Sequence, residues 1–202
     1  MTQRVAVFLD YQNVYKGARR AFAHQGSPHM FGQVHPARLA LKLKGINSDG
    51  RKLSAIRVYR GMPSSRHDPK GFGACQRQIA EWQNRWNVAA ITRPLNYRVP
   101  TDPKEKGIDV RIAIDLVMMA MRDEYDVGIL FSADTDLVPA LEAVVGIKGS
   151  GSVEVAVWKP EGQSANRLRV QAHNIWCHLL GPKDYQHVQD LIDYTRKGAR
   201  LT

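Results

Sequence analysis

A chain of 202 residues with 44% hydrophobic side chains can bury one sizeable core, so a single domain over 1–202 is expected. Its two cysteines, Cys75 and Cys177, lie far apart and argue against a disulfide framework or a cysteine zinc site. The formal charge of +10 favours polyanionic partners, and the longest apolar run, Ile108 to Met121, is broken by Asp109, Arg111 and Asp115, against a membrane span.

Arg4 to Leu9 is a β-branched and aromatic run of the kind found in a buried strand, and it ends at Asp10. Tyr11 to Phe22 reads as a helix, and His24 to Phe31, with Gly26 and Pro28, as a loop. Pro36 to Leu43 predicts a helix opened by its proline; Leu53 to Tyr59 alternates as a second strand, stopped by Gly61-Met62-Pro63. From Gly71 to Trp86, Phe72, Cys75, Ile79, Trp82 and Trp86 recur every three or four residues, a helical stripe that places both tryptophans in the core. Val88 to Thr92 is a third strand, and Pro94 to Pro103 an irregular loop. Gly107 to Arg122 predicts a long helix, Val127 to Ser132 a fourth strand, Thr135 to Val145 a helix, Val153 to Trp158 a fifth strand and Ile175 to Leu180 a short sixth. A closing helix from Pro182 to Tyr194, about 182–196 in all, is expected to pack on the rest. Strands separated by helices imply βαβ units, hence an α/β fold with a mainly parallel sheet covered on both faces. The glycines of Gly146 to Gly151 follow a helix and precede a strand, the reverse of a dinucleotide loop, and no Walker A or His-Glu-x-x-His motif occurs. Gln12 stands where an aspartyl phosphatase places its second acid.

Ligands of open α/β sheets gather at the carboxyl ends of the strands, near the point where strand order reverses. Asp10, Asp134 and Asp136 fall at such ends, and Asp109 falls in the first turn of the long helix, where the helix dipole alone is a sufficient reason for an acid. Taken together, converging carboxylates repel one another and call for a cation between them. Mg²⁺ or Mn²⁺ suits such oxygen ligands, and either can lower the pKa of a bound water and polarise a phosphoryl oxygen. Lys16, Arg19, Arg60, Lys104, Lys106 and Arg111 are candidate guides for a phosphate chain, although each alone is equally a solvated surface charge.

Three blocks, "VAVFLDYQNVY" (Val5 to Tyr15), "KGIDVRIAIDLV" (Lys106 to Val117) and "YDVGILFSADTDLVPAL" (Tyr125 to Leu141), in this order, resemble the NYN domain family, specifically its LabA-like branch within the PIN-like nucleases. The resemblance implies a PIN-like three-layer α/β/α sandwich with a mainly parallel central sheet and a metal-dependent endoribonuclease-type site. Asp10, Asp109, Asp134 and Asp136 match the family's acids as catalytic and metal-holding residues, with Asn13 and Ser132 in support. Ala133 replaces a glycine common in relatives and adds a Cβ beside the site; Leu137 replaces a phenylalanine. Asp115 also matches a recurrent acid, but six residues beyond Asp109 it lies about 240° around the helix, which favours a buried, hydrogen-bonded structural role.

The expected function is hydrolysis of RNA phosphodiester bonds through a metal-activated water, with no covalent intermediate. The alternative is an RNA-binding regulatory module with little turnover. Action on structured DNA is a third reading, disfavoured because the His24 to Phe31 and Pro94 to Pro103 loops are short for gripping a duplex. RNA, taken as single-stranded, is the expected partner; a cytoplasmic location is expected, and a homodimer is left open. Trp158 either stacks on a base or packs inside the fold, with packing favoured.

Overall fold

In the computed structural model, which describes residues 2–47, 50–99 and 102–196, the strands are β1 (Gln3–Asp10), β2 (Arg51–Met62), β3 (Ala89–Pro94), β4 (Val127–Phe131), β5 (Val153–Trp158) and β6 (Trp176–Leu180). The helices are α1 (Tyr11–Phe22), α2 (Pro36–Asn47), α3 (Pro69–Trp86), α4 (Ile108–Met121), α5 (Val138–Lys148) and α6 (Pro182–Val188). The strands form one sheet in the order β3-β2-β1-β4-β5-β6, and every pairing is parallel. After β1 the chain builds outward through β2 and β3, then returns to β4 on the other side of β1. The order therefore reverses between β1 and β4, and the crevice beyond their carboxyl ends is the place where this architecture receives ligands.

Period-two alternation divides the core into two layers. Val5, Val7 and Leu9 of β1 face Val14 and Ala18 of α1, Leu39 and Leu43 of α2 and Trp82 of α3. Ala6 and Phe8 face the opposite layer, with Ile112 and Leu116 of α4 and Leu141 and Val144 of α5. Both faces of β1 are thus apolar, as a central parallel strand requires, and the fold is a three-layer α/β/α sandwich. Trp158 is part of the first layer: its Nε1 donates to the Val14 carbonyl at 2.9 Å, and its ring meets Phe22, Phe131 and Tyr185. It packs rather than offering a stacking face. Among the described residues no helix is long and apolar enough to cross a membrane.

Several boundaries differ from expectation for identifiable reasons. The helix predicted from Thr135 begins as a 3-10 turn, Thr135–Leu137, and only then becomes α5. Pro139 has no N–H to give to the Thr135 carbonyl, so an α-helix cannot start there. The closing helix stops at Val188 instead of continuing to Tyr194. His35 N–H takes the Val188 carbonyl at 2.8 Å and Asp190 N–H donates to the Gln33 carbonyl at 2.9 Å, so bonds to the 33–35 segment replace the next helical turn. Trp82 is fully buried, but Trp86, the last residue of α3, is 39% exposed, because the helix ends there with Asn87 in a left-handed conformation. β2 runs through Gly61 to Met62, and pairing with β3 up to Met62 and Pro94 outweighs the expected stop.

Candidate functional site

Asp10 is both the last residue of β1 and the N-cap of α1. One carboxylate oxygen accepts the Asn13 backbone N–H at 3.1 Å; the other accepts the Asn13 side-chain amide at 2.5 Å and the Ser132 hydroxyl at 3.0 Å. Ser132 follows β4, and its Oγ accepts the Asp134 N–H at 3.1 Å. A chain of hydrogen bonds therefore stitches the ends of β1 and β4 across the switch point. At 2% exposure Asp10 is desolvated, and burial raises its pKa; the Asn13 and Ser132 bonds oppose the rise and the charge of Asp134 adds to it.

Asp134 caps the 3-10 turn by accepting the Asp136 N–H at 3.0 Å. Asp109 stands in the first turn of α4, entered through Gly107 with φ 71°, a left-handed conformation that suits glycine. Its pKa is raised first by burial, then by Asp10 and Asp134, and more weakly by Asp136. A further acid joins them from before that turn. Glu105 accepts the Gly61 N–H at 2.6 Å, and burial raises its pKa, with Asp10 and Asp109 adding to the rise while Gly61 and Arg60 oppose it.

Asp10, Asn13, Glu105, Asp109 and Asp134 line one polar cavity of about 160 Å³, together with Lys16 and Lys104. Asp136 is exposed and lies outside its lining, acting on it through its field on Asp109. Sequence reading missed Glu105, because an acid between Lys104 and Lys106 looks like a solvated charge run. No pattern in the sequence marked it: the left-handed turn at Gly107, two residues on, brings Glu105 to the cavity it shares with Asp109.

The candidate guides divide. Lys16 is exposed on α1 and lines the acidic cavity, as does Lys104, which pairs with Asp102 at 2.6 Å. Lys106 is exposed next to Glu105. Arg60 donates to Gln78 at 2.5 Å and lies over the Tyr11 ring at 5.0 Å. Arg19 donates to the carbonyls of Ser27, Pro28 and Phe31 and so holds the 24–31 loop, a structural task the sequence did not reveal. Arg111 pairs with Asp115 at 3.0 Å. Asp115 itself is buried and also accepts from Arg57 at 2.7 Å and Tyr59 at 2.9 Å, apart from the acidic cavity.

Among the described residues no three His, Cys, Asp or Glu side chains stand close enough to close on one ion. The donor set is nevertheless all oxygen and strongly acidic, which fits a hard cation that takes one or two carboxylates and keeps most of its waters.

A family model described as the NYN domain matches residues 4–177. The chain belongs to the NYN domain family. The matched span runs from β1 into β6 and contains Asp10, Glu105, Asp109, Asp134 and Asp136. The crystal structure of a protein of unknown function from Vibrio parahaemolyticus aligns with this NYN domain at a TM-score of 0.51 and 21% identity, covering 78% of this chain and 81% of that one. That likeness is one of fold. No curated protein matches the sequence.

Proposed function

We propose that this NYN domain is a metal-dependent ribonuclease of the LabA-like branch, hydrolysing phosphodiester bonds of single-stranded RNA at the acidic cavity beyond β1 and β4. The observation that carries the reading is the gathering of Asp10, Glu105, Asp109 and Asp134, from separate parts of the chain, around one small cavity at the switch point of the sheet. The carboxyls of Asp10, Glu105 and Asp109 are each raised in part by a neighbouring acid, a strain that a cation relieves.

Asp10, Asp109 and Asp134 would hold Mg²⁺ or Mn²⁺, with Glu105 lining the same cavity and Asp136 just outside it. Bound there, such an ion supplies a water of lowered pKa and polarises a phosphoryl oxygen. Asn13 and Ser132 fix the Asp10 carboxylate in position, and their bonds favour its ionised form. Lys16 and Lys104 at the cavity rim draw the phosphate chain toward a centre that would otherwise repel it.

A second reading, an RNA-binding module with little turnover, is favoured by two observations: both Asp10 oxygens are already hydrogen-bonded, and among the described residues no three acids close on an ion as they stand. Single-stranded RNA incubated with the protein in Mn²⁺ or in chelator separates the two. The ribonuclease reading predicts cleavage in Mn²⁺ that falls about a hundredfold or more in Asp134→Asn. Equal cleavage by variant and parent, or RNA that is bound but intact, would reject it.

A further inference from the structure

Beside the acids lies a larger cavity of about 390 Å³. Gln12, Lys16, Pro103 and Glu105 line both, so the two adjoin, an acidic end beside a mainly apolar end. Pro63, Ala74, Leu95 and Tyr15 contribute to the apolar end, and the volume falls within the usual range of small-molecule sites, about 300–1,000 Å³. Part of its wall is a linked set of polar side chains: Arg60 donates to Gln78, and Gln78 donates to Gln33 at 2.8 Å and to the Tyr11 hydroxyl at 3.1 Å, while the buried Arg60 Nε has no partner among the described residues. At the junction of the two ends, the Gln12 side chain makes no hydrogen bond among the described residues. Its amide offers two donors and an acceptor, the complement of a base edge. Lys16, one helical turn along α1, stands at the same junction.

We propose that this cavity receives one unpaired nucleobase of the RNA whose phosphate lies at the carboxylates. The proposal rests on the ribonuclease reading and adds the basis of strand choice to it. A base has flat apolar faces for the apolar walls and a polar edge for Gln12, and the backbone phosphate beside it falls near Lys16. A base inside a duplex is stacked and paired, and must be extruded before it can enter such a hollow. The cavity therefore selects single strands without any element that measures a duplex.

Ala74→Phe and the bulkier Ala74→Trp fill the apolar end from α3. Kinetics on a short labelled RNA, alone and annealed to its complement, are paired with saturation-transfer NMR of AMP and UMP in chelator. The parent is expected to cut the single strand about tenfold faster than the duplex. The filled variants are expected to raise KM about tenfold with kcat within about threefold of the parent, and to lose the nucleotide signal that Asp134→Asn retains. Unchanged KM in both filled variants, nucleotide contacts that survive filling, or equal cleavage of single and double strands would overturn the proposal. The failures are distinguishable. Nucleotide binding that filling abolishes, in a protein that cuts nothing, keeps the cavity assignment and ends the ribonuclease reading; cleavage indifferent to filling does the reverse.

Discussion

Two acids on the same helix, Asp109 and Asp115, show how environment assigns opposite roles to one side chain. Arg57, Tyr59 and Arg111 surround Asp115, and their hydrogen bonds hold its carboxyl below the usual range despite burial; Asp109 is raised, first by burial and then by Asp10 and Asp134. Removing the Asp115 carboxylate leaves Arg57 partly buried beside a missing partner, so Asp115→Ala should cost about 2–4 kcal/mol in urea unfolding. A loss under about 0.5 kcal/mol, the size of an ordinary surface change, would contradict that role. Asp109→Asn should behave the other way in chelator. A carboxyl raised on folding contributes stability below its unfolded pKa and loses it as pH rises through the folded value. The variant should therefore gain on the parent as pH climbs from about 4 to neutrality, reaching about 2 °C in Tm after allowance for solvent screening of this partly open group. The parent, not the variant, should rise further when Mn²⁺ is added; equal metal shifts in calorimetry would place the ion elsewhere.

Where elements end decides what the site can contain. β2 passes the acids at Gly61, its last residue but one, whose N–H anchors Glu105, and a Cβ there would meet Leu95 and Glu105 at once. Gly61→Ala is expected to displace Glu105, lowering both cleavage and Tm although no carboxylate is changed; a variant with parental RNA kinetics would show that Glu105 placement does not matter. The buried run of β1 and the stripe of α3 as far as Trp82 were legible, because burial on both faces of a strand leaves an unbroken apolar run and burial on one face of a helix writes a period into the sequence. The strand ends of Asp10 and Ser132 followed from it. Glu105 was not legible, since its position depends on the backbone turn at Gly107 and on pairing at the end of β2, and neither leaves a periodic trace. The early stop of α6 escaped for a related reason: the bonds that end it come from residues 33–35, more than 150 positions away in the chain, where local propensity carries no information.

At the scale of the whole molecule, a charge of +10 surrounds a pocket of acids. Binding of single-stranded RNA should weaken about 50-fold between 50 and 200 mM KCl if about four phosphates are neutralised, a slope read from filter binding across the series. Salt-independent binding would mean that the Lys and Arg surface takes no part. Glu154, beneath the helices of the first layer, points to a different solution property. It pairs with Arg51 at 2.6 Å and with His178 at 2.6 Å, which hold its pKa at about 2 against the penalty of burial. Its contribution is present above the usual glutamate range and is lost as pH falls toward 2, so Glu154→Gln should be less stable than the parent at neutral pH, with the gap closing between about pH 4.5 and 2 in urea unfolding followed by circular dichroism. A gap that does not change with pH would assign the triad no such part. The larger cavity carries one more implication: the family match ends at residue 177, yet Tyr194 and Thr195 form part of its wall. If this molecule cuts RNA as proposed, its blade belongs to the shared portion, while the gauge beside it is partly cut from chain beyond that portion, so what is chosen could diverge between relatives without the chemistry of cutting having to change.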